Sequence, residues 1–149
     1  MPNASSANTV AERFNTLNWH DSEVRGIVLN YFRRGACELV LRVDLSAPKL
    51  PSEPETFTFA KIRFLNARFF HSDIDLLGIA CCGGDISSAR CQADSQFMRE
   101  VALQRIRAFN LRPQEDEELA GLKHFGIYLC NPSGEINIVA EDFELSAAE

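Results

Sequence analysis

The chain has 149 residues, of which 46% are hydrophobic, and this composition fits one folded domain and excludes a disordered chain. No apolar run reaches the ~20 residues of a membrane-spanning helix, and the N-terminus lacks the basic start and apolar stretch of a secretory signal, so we expect a cytoplasmic protein. The net charge of −6 is uneven, because residues 113–149 carry nine acidic residues and one lysine, and this region is unsuited to nucleic acid, whose phosphates require Lys and Arg.

The first predicted element is a short helix over residues 8–17, whose apolar residues recur at helical spacing and for which Asn8 is an available cap. After the tetrad at residues 19–22, apolar residues recur at every second position, which is the spacing of a strand. Residues 23–32 and 37–45 then predict two strands joined by a turn at 33–36. The side chains expected on the inner faces of this hairpin are Ile27, Leu29, Tyr31, Cys37, Leu39, Leu41, Val43 and Leu45.

A surface connection with three prolines, residues 46–55, leads to a third apolar segment over 56–70. Its phase changes between Phe59 and Ile62, which predicts a β-bulge near Ala60–Lys61. The Gly83–Gly84 pair marks a break, and a further strand is expected from Ile86 to Cys91.

A longer helix is predicted near residues 95–110, beginning at Asp94–Ser95 and ended by Pro113. A second hairpin follows, with strands over 124–129 and 135–145 around a turn at 131–134. Its second strand should place three residues on one face, namely Ile136, Ile138 and Ala140, and two on the other, namely Val139 and Phe143.

Together these elements predict an α+β, mainly antiparallel β fold, a sheet or a sandwich or open barrel of about six to seven strands built from hairpins. A single globular domain is expected over residues 8–145, between a disordered tail at 1–7 and a short tail at 146–149.

The five cysteines form no C-x-x-C pair and no zinc-type spacing, so reduced thiols are expected. The adjacent Cys81 and Cys82 are a poor redox pair, because neighbouring residues rarely reach disulfide geometry. The sequence predicts no cofactor.

The tetrad Trp19-His20-Asp21-Ser22 is the first candidate binding site. Adjacent residues cannot readily converge as a catalytic triad, which needs members from separate elements. A structural corner, with Trp19 buried and the polar residues capping backbone groups, is one interpretation. The other interpretation is that the tetrad forms part of a ligand or metal site.

The second candidate is the run from His71 to Asp75, in which His71, Asp73 and Asp75 alternate. Imidazole and carboxylate groups at this spacing can bind a divalent metal, although Ser-rich and Asp-rich turns look the same. Weak metal candidates are therefore His20, His71 and Asp75. His124, at the start of the second hairpin, is a further binding candidate, and we expect it to be partly exposed or bonded to backbone.

Both ends of the chain carry short patterns that resemble several small, uncharacterised bacterial families. These are the W-H-D-S tetrad entering a strand and the closing pattern H-F-x-I-x-L, turn, G-E-I-N-I-V-A-E-D-F-E-L. Similar small acidic proteins are immunity proteins of polymorphic toxin systems, which bind and block a toxin. The resemblance implies a bacterial origin and a β-rich single domain, and it carries no catalytic residues.

Two functions follow as hypotheses. The first is a non-enzymatic protein-binding module, immunity-like or regulatory, whose acidic C-terminal third attracts a basic protein partner, although a merely solvated acidic face gives the same pattern. The second is a small metal-dependent hydrolase or ligand-binding β fold that uses His20, Asp21, His71 and Asp73. A homo-oligomer formed through exposed strand edges is compatible with either function. No membrane or nucleic-acid partner is expected.

Overall fold

A computed structural model describes residues 9–31, 37–46, 57–75, 77–78, 84–109, 121–131 and 133–147. The helices are α1 (Val10–Asn15) and α2 (Gln96–Phe109). The strands are β1 (Glu23–Tyr31), β2 (Cys37–Ser46), β3 (Phe57–Leu65), β4 (Phe69–Ser72), β5 (Gly84–Gln92), β6 (Lys123–Asn131), β7 (Ser133–Ala140) and β8 (Asp142–Ala147). The predicted class, α+β with a mainly antiparallel sheet, is confirmed.

Several predicted features lie outside the described residues, namely the tail at 1–7, the cap Asn8, the turn at 33–36, the connection at 47–55, Cys81, Cys82 and Pro113. The short tail predicted at 146–149 begins inside a strand, since β8 continues to Ala147 and pairs it with Ala60.

Helix α1 begins with a capping box rather than with the predicted Asn8 cap. The Thr9 hydroxyl accepts a hydrogen bond from the Glu12 backbone at 3.1 Å, and the Glu12 carboxylate accepts one from the Thr9 backbone at 3.0 Å. Thr9 is favoured because the glutamate three residues later completes this reciprocal pair. The helix buries Phe14 completely.

Phe14 lies at the centre of an aromatic cluster in the core. Its ring centroid is 4.6 Å from that of Trp19, 5.0 Å from that of Phe125 and 5.2 Å from that of Phe143. The tilted and edge-on geometries are those that aromatic quadrupoles favour. The cluster therefore joins α1 and the following corner to strands β6 and β8.

The eight strands form one antiparallel sheet in the order β4-β7-β6-β5-β1-β2-β3-β8. Its two end strands are continuations of interior strands, because β4 follows β3 after Asn66–Arg68 and β8 follows β7 after Glu141. The β3–β4 segment and the β7–β8 segment thus pair on both sides of the bend as one bent ribbon, which closes the sheet into a barrel. Across the interior, Phe64 of β3 and Phe125 of β6 have ring centroids 5.1 Å apart.

The bend of the ribbon is fixed by backbone hydrogen bonds on both of its segments. The Arg68 N–H donates to the Val139 carbonyl at 2.8 Å, and the Glu141 N–H donates to the Leu65 carbonyl at 2.9 Å. These bonds satisfy backbone groups where the regular ladder is interrupted.

The bend explains why eight strands are described where six to seven were predicted. The sequence over 135–145 looks like one strand, but Glu141 divides it, and β7 and β8 pair with different partners. Ile136, Ile138 and Ala140 are buried on the core face as predicted. The prediction for Phe143 was wrong, because the extra residue at the bend changes the phase and turns Phe143 into the core.

The bulge predicted near Ala60–Lys61 was also wrong. The β2–β3 register runs without a shift from Ser46 and Phe57 to Leu39 and Phe64. Phe59 points outward and is 40% exposed, whereas Ala60 is buried. An exposed phenylalanine, rather than an irregular backbone, produced the apparent change of phase.

The hairpin of β1 and β2 is confirmed, and Leu39, Leu41, Val43 and Leu45 are buried as predicted. Leu29 is different, since it lies opposite Leu39 but remains 55% exposed. In the described part of the chain, β1 pairs with β5 at Glu23 and Val24.

Helix α2 begins where predicted, with the Ser95 hydroxyl accepting a hydrogen bond from the Met98 backbone at 3.1 Å. Its first half contacts the sheet through Phe97, and Val101 is also buried. Phe109, at the other end of the helix, is 66% exposed.

Candidate functional site

The tetrad at residues 19–22 forms a structural corner. The Trp19 indole N–H donates to the Phe14 carbonyl at 2.8 Å, and the ring is 4% exposed. Ser22 is buried, its hydroxyl donates to the Asn18 carbonyl at 2.6 Å, and its own carbonyl accepts from the Ile86 N–H at 2.7 Å. The corner therefore joins the end of α1 to β5.

His20 and Asp21 lie on the outside of this corner. Asp21 has a φ of 65°, a left-handed conformation that aspartate tolerates better than most residues in tight turns. The His20 Nδ1 atom is 3.0 Å from an Asp21 carboxylate oxygen, with 77% of the His20 side chain exposed. The two side chains form a surface pair and do not enclose a pocket.

The residues predicted as metal ligands are not brought together. The corner contacts β5, whereas His71 lies exposed on β4, three strands away in the sheet order, or roughly 14 Å at the usual strand spacing. Asp75 accepts hydrogen bonds from the Leu77 and Gly78 backbones, both at 3.1 Å, as turn residues do. In the described ranges no group of three or more His, Cys, Asp or Glu side chains is placed to hold a metal.

Asp73 connects the segment after β4 to the start of β7. Its Oδ1 atom accepts a hydrogen bond from the Glu135 N–H at 2.7 Å, and the Asp73 N–H donates to the Glu135 carbonyl at 3.3 Å. The Ser72 hydroxyl donates to the same carbonyl at 2.8 Å. These bonds hold Asp73 and Glu135 side by side with both residues exposed.

A shallow groove of about 490 Å³ lies where these two residues meet β6. It is lined by Asp73, Tyr128, Leu129, Ser133, Gly134 and Glu135. An aromatic ring beside two carboxylates offers both a π face and negative charge, the two features that attract an ammonium or guanidinium group.

Gly126 makes room for the Tyr128 side chain beside this groove. A Cβ atom at Gly126 would lie 2.9 Å from the Tyr128 hydroxyl oxygen and 3.2 Å from its Cζ atom. Such distances are too short for a methyl group, so Tyr128 keeps this position only while residue 126 is glycine. A glycine inside a strand commonly marks this kind of close approach.

Replacing Gly126 by alanine should displace the Tyr128 ring and cost little stability, because the displaced atoms are the far end of a side chain. We expect the free energy of unfolding to fall by less than about 1.5 kcal/mol. Denaturant unfolding measures this change, and the near-UV circular dichroism of tyrosine reports the movement of the ring. A large loss of stability with an unchanged tyrosine signal would contradict the described position of Tyr128.

A series of hydrogen-bonded side chains connects the groove to a buried histidine. His124 is 5% exposed, and its Nε2 atom lies 2.7 Å from the side-chain Oδ1 atom of Asn137. The side-chain Nδ2 group of Asn137 donates to the Glu135 carboxylate at 3.4 Å, which orients Oδ1 toward His124. Nε2 is therefore the protonated nitrogen of a neutral imidazole, and Nδ1 is buried with no hydrogen-bond partner.

The environment keeps His124 neutral. Burial is the main effect and lowers the pKa of His124, while the hydrogen bond to Asn137 and the nearby Glu135 charge act in the opposite direction. The sequence predicted a partly exposed or backbone-bonded histidine at this position, which was wrong because α2 covers it. The Phe97 ring stacks on the imidazole with a centroid distance of 4.6 Å and an interplanar angle of 22°.

Sequence reasoning missed three residues of this region, namely Tyr128, Glu135 and Asn137. Two signals were present. Gly126 interrupts an otherwise apolar strand, and Asn137 stands in the run Ile136-Asn137-Ile138-Val139-Ala140, whose other members are all buried. A buried asparagine in such a run must find hydrogen-bond partners.

The two described free cysteines differ in environment. Cys91 is buried among apolar side chains, and this burial raises the pKa of its thiol to about 11. It is consequently a poor nucleophile at neutral pH. Cys130 is exposed, and its thiol lies 3.5 Å from the Asp85 carbonyl.

Among the described residues, neither helix is both long and apolar enough to cross a bilayer. No protein-family model, curated protein or solved structure matches the chain.

Proposed function

We propose that the protein is a non-enzymatic binding module, immunity-like or regulatory, of a bacterial cytoplasm. Its partner is a basic protein, and a lysine or arginine side chain of that partner enters the groove formed by Tyr128, Asp73 and Glu135. The observation that carries the proposal is the placement of two exposed carboxylates beside one aromatic ring. The Asp73 carboxylate is held by the Glu135 backbone N–H, and the Glu135 carboxylate by the side-chain amide of Asn137.

The charges of this groove lack the compensation that neighbouring acids receive. Asp142 accepts a hydrogen bond from Arg13 at 2.7 Å, and Glu144 lies directly across the ladder from Arg63. Within the described part of the chain, the ion pairs involve neither Asp73 nor Glu135. A partner cation would supply the missing positive charge.

The expected gain is sufficient for a specific contact. A cation placed on an aromatic face contributes about 0.5–2 kcal/mol. A hydrogen bond to a charged group contributes about 1.5–3 kcal/mol, and the fixed carboxylates reduce the ordering cost of binding. The overall net charge of −6 further steers a basic partner toward the protein at low ionic strength.

The test is capture of a partner from a lysate of the source organism, followed by calorimetry with the purified partner. The double variant Asp73→Asn/Glu135→Gln removes both charges while the amide oxygens preserve the hydrogen bonds to backbone and to Asn137. We expect its dissociation constant to rise at least about tenfold, which corresponds to ~1.4 kcal/mol. Replacing Tyr128 by alanine should have an effect of the same order.

A matched control is Asp94→Asn/Glu144→Gln, which removes the same two charges at exposed positions outside the groove. This variant should bind almost as tightly as the wild type. Equal weakening by both double variants would mean that only overall charge matters, and a captured partner that is acidic would contradict the proposal.

The alternative function, a metal-dependent hydrolase or ligand-binding fold, receives less support from the geometry. Its proposed residues lie on separate parts of the surface, with His20 and Asp21 at the corner and His71 on β4. No described observation favours this function over the binding of a basic protein.

A further inference from the structure

Helix α2 covers a row of residues on the outside of the barrel, formed by His124 of β6, Val139 of β7 and Phe69 of β4. The Phe97 ring contacts both ends of the row, with centroid distances of 4.6 Å to His124 and 5.7 Å to Phe69. Val139, between them, has no exposed surface although it faces away from the core. Phe97 of α2 thus covers one face of the imidazole.

We propose that His124 is a proton-sensitive latch for helix α2: the neutral imidazole holds the helix on the sheet, and the imidazolium releases it. This inference concerns the protein alone and stands whether or not the groove binds a basic partner.

The latch follows from the hydrogen bonds of the ring. With Nε2 committed to Asn137, a second proton must be added at Nδ1, which is buried and has no acceptor within reach. A buried N–H without an acceptor is costly, and more so on a charged ring. The face of Phe97 attracts a cation, but this attraction does not replace the missing acceptor.

Release of α2 is the easier way to relieve that cost. Strand β6 cannot move, because it is hydrogen-bonded to β5 on one side and to β7 on the other around His124. The described contacts of the helix with this face are those of Phe97 near its start, and its last residue Phe109 is mostly exposed. Movement of α2 would admit water to Nδ1 and leave the barrel intact.

The charged and titratable groups on the elements around the imidazole must be considered together. They are Glu135 on β7, His71 on β4, Arg90 on β5, Lys123 and Tyr128 on β6, and Asp94, Arg99 and Glu100 at the start of α2. Glu135 favours the imidazolium, but through the intervening Asn137. Near α2, Arg99 pairs with Asp94 at 3.0 Å and Glu100 accepts from Gln96 at 3.1 Å, so these charges are engaged at the surface. Lys123 donates to the Gly121 carbonyl.

The sign of the pH dependence follows from the burial of the ring. The pKa of His124 is lowered while α2 is docked and returns to its ordinary value when the helix is released. The docked state is thus fully stabilised above that ordinary value of about 6.5 and loses stability as the pH falls below it, until the lowered pKa is passed.

The test is hydrogen–deuterium exchange at about pH 7.5 and about pH 5, expressed as protection relative to the unfolded chain at the same pH. We expect protection of residues 96–109 to fall at least about tenfold at the lower pH, while β6 and β7 stay protected. In His124→Gln, whose neutral amide can still donate to Asn137, protection of α2 should not depend on pH. The matched control His71→Gln should behave as the wild type.

Equal protection of α2 at both pH values in the wild type would overturn the latch, as would an unchanged pH dependence in His124→Gln. If His124→Gln does not fold, an NMR titration of the His124 ring in the wild type decides the question. A pKa below 6.5 whose midpoint coincides with changes in the α2 amides supports the latch. A pKa at or above that value refutes it.

Discussion

Replacing Phe14 by alanine should lower the free energy of unfolding by about 3–5 kcal/mol, the range for deleting a fully buried aromatic ring. Phe14 has no exposed surface, and its ring contacts three other aromatic rings within 5.2 Å. Because those rings come from the corner, β6 and β8, the cavity cannot collapse by moving one element. Chemical denaturation monitored by Trp19 fluorescence measures the loss.

Phe59→Ala is the matched control, since it deletes the same ring from the 40% exposed outer face of β3. This change should cost less than about 1.5 kcal/mol, because less buried surface is lost than at Phe14 and no enclosed cavity forms. Similar losses for the two variants would contradict the central position of Phe14.

The second large effect should come from Trp19→Ala, which we also expect to cost about 3–5 kcal/mol. The indole is 4% exposed, packs against Phe14 in a tilted geometry and donates to the Phe14 carbonyl at 2.8 Å. Trp19→Phe keeps most of the packing and removes the hydrogen bond, so a loss of about 0.5–1.5 kcal/mol is expected. Since this variant lacks the fluorophore, far-UV circular dichroism is the common measurement.

His20→Ala, the change next along the chain, should alter stability by less than about 0.5 kcal/mol. The corner is stabilised by the neighbours Trp19 and Ser22, which are buried, whereas the His20 side chain is 77% exposed. A loss of stability in His20→Ala comparable to that in Trp19→Ala would contradict this assignment.

The two large effects should not be additive. Phe14 and Trp19 touch each other and share a hydrogen bond, so removing one ring already loosens the packing of the other. The double variant should therefore lose less than the sum of the single losses, by an interaction energy of about 0.5–3 kcal/mol. Strict additivity would place the two rings in independent parts of the core.

The features that the sequence predicted correctly are those that depend on local patterns. Alternation of apolar residues correctly indicated β2, and the serine before α2 correctly indicated its start. Both signals act within a few residues of chain, and neither requires knowledge of distant partners.

The errors arose where a distant part of the chain decides the environment. Phe143 faces the core because Glu141 inserts a residue at the bend, and nothing local to that segment identifies the bend. His124 is buried because α2 packs over it, although a histidine at the start of a strand is usually accessible.

The candidate groove likewise combines one residue that the sequence indicated with two that only the fold brings next to it. Asp73 was selected from the sequence, but its neighbour in space, Glu135, lies far along the chain, and hydrogen bonds between their segments span 63 positions. Tyr128 looked like one more member of a strand. Only the tertiary fold places these three side chains around one groove.

The bent ribbon that closes the barrel has a consequence for the order of folding. β1, β2 and β3 are each joined to the next by a hairpin, as are β6 and β7, so these pairings close short loops. The ribbon instead joins residues far apart in the chain, and its hydrogen bond between Asn66 and Glu141 spans 75 positions. Closing such long loops costs chain entropy that is recovered only when the core packs. We therefore expect the β1–β2–β3 and β6–β7 hairpins to form early and the ribbon to pair last. Closure of the barrel is then the rate-limiting step of folding. Before closure the sheet has open edges, and this intermediate is the species most prone to aggregate.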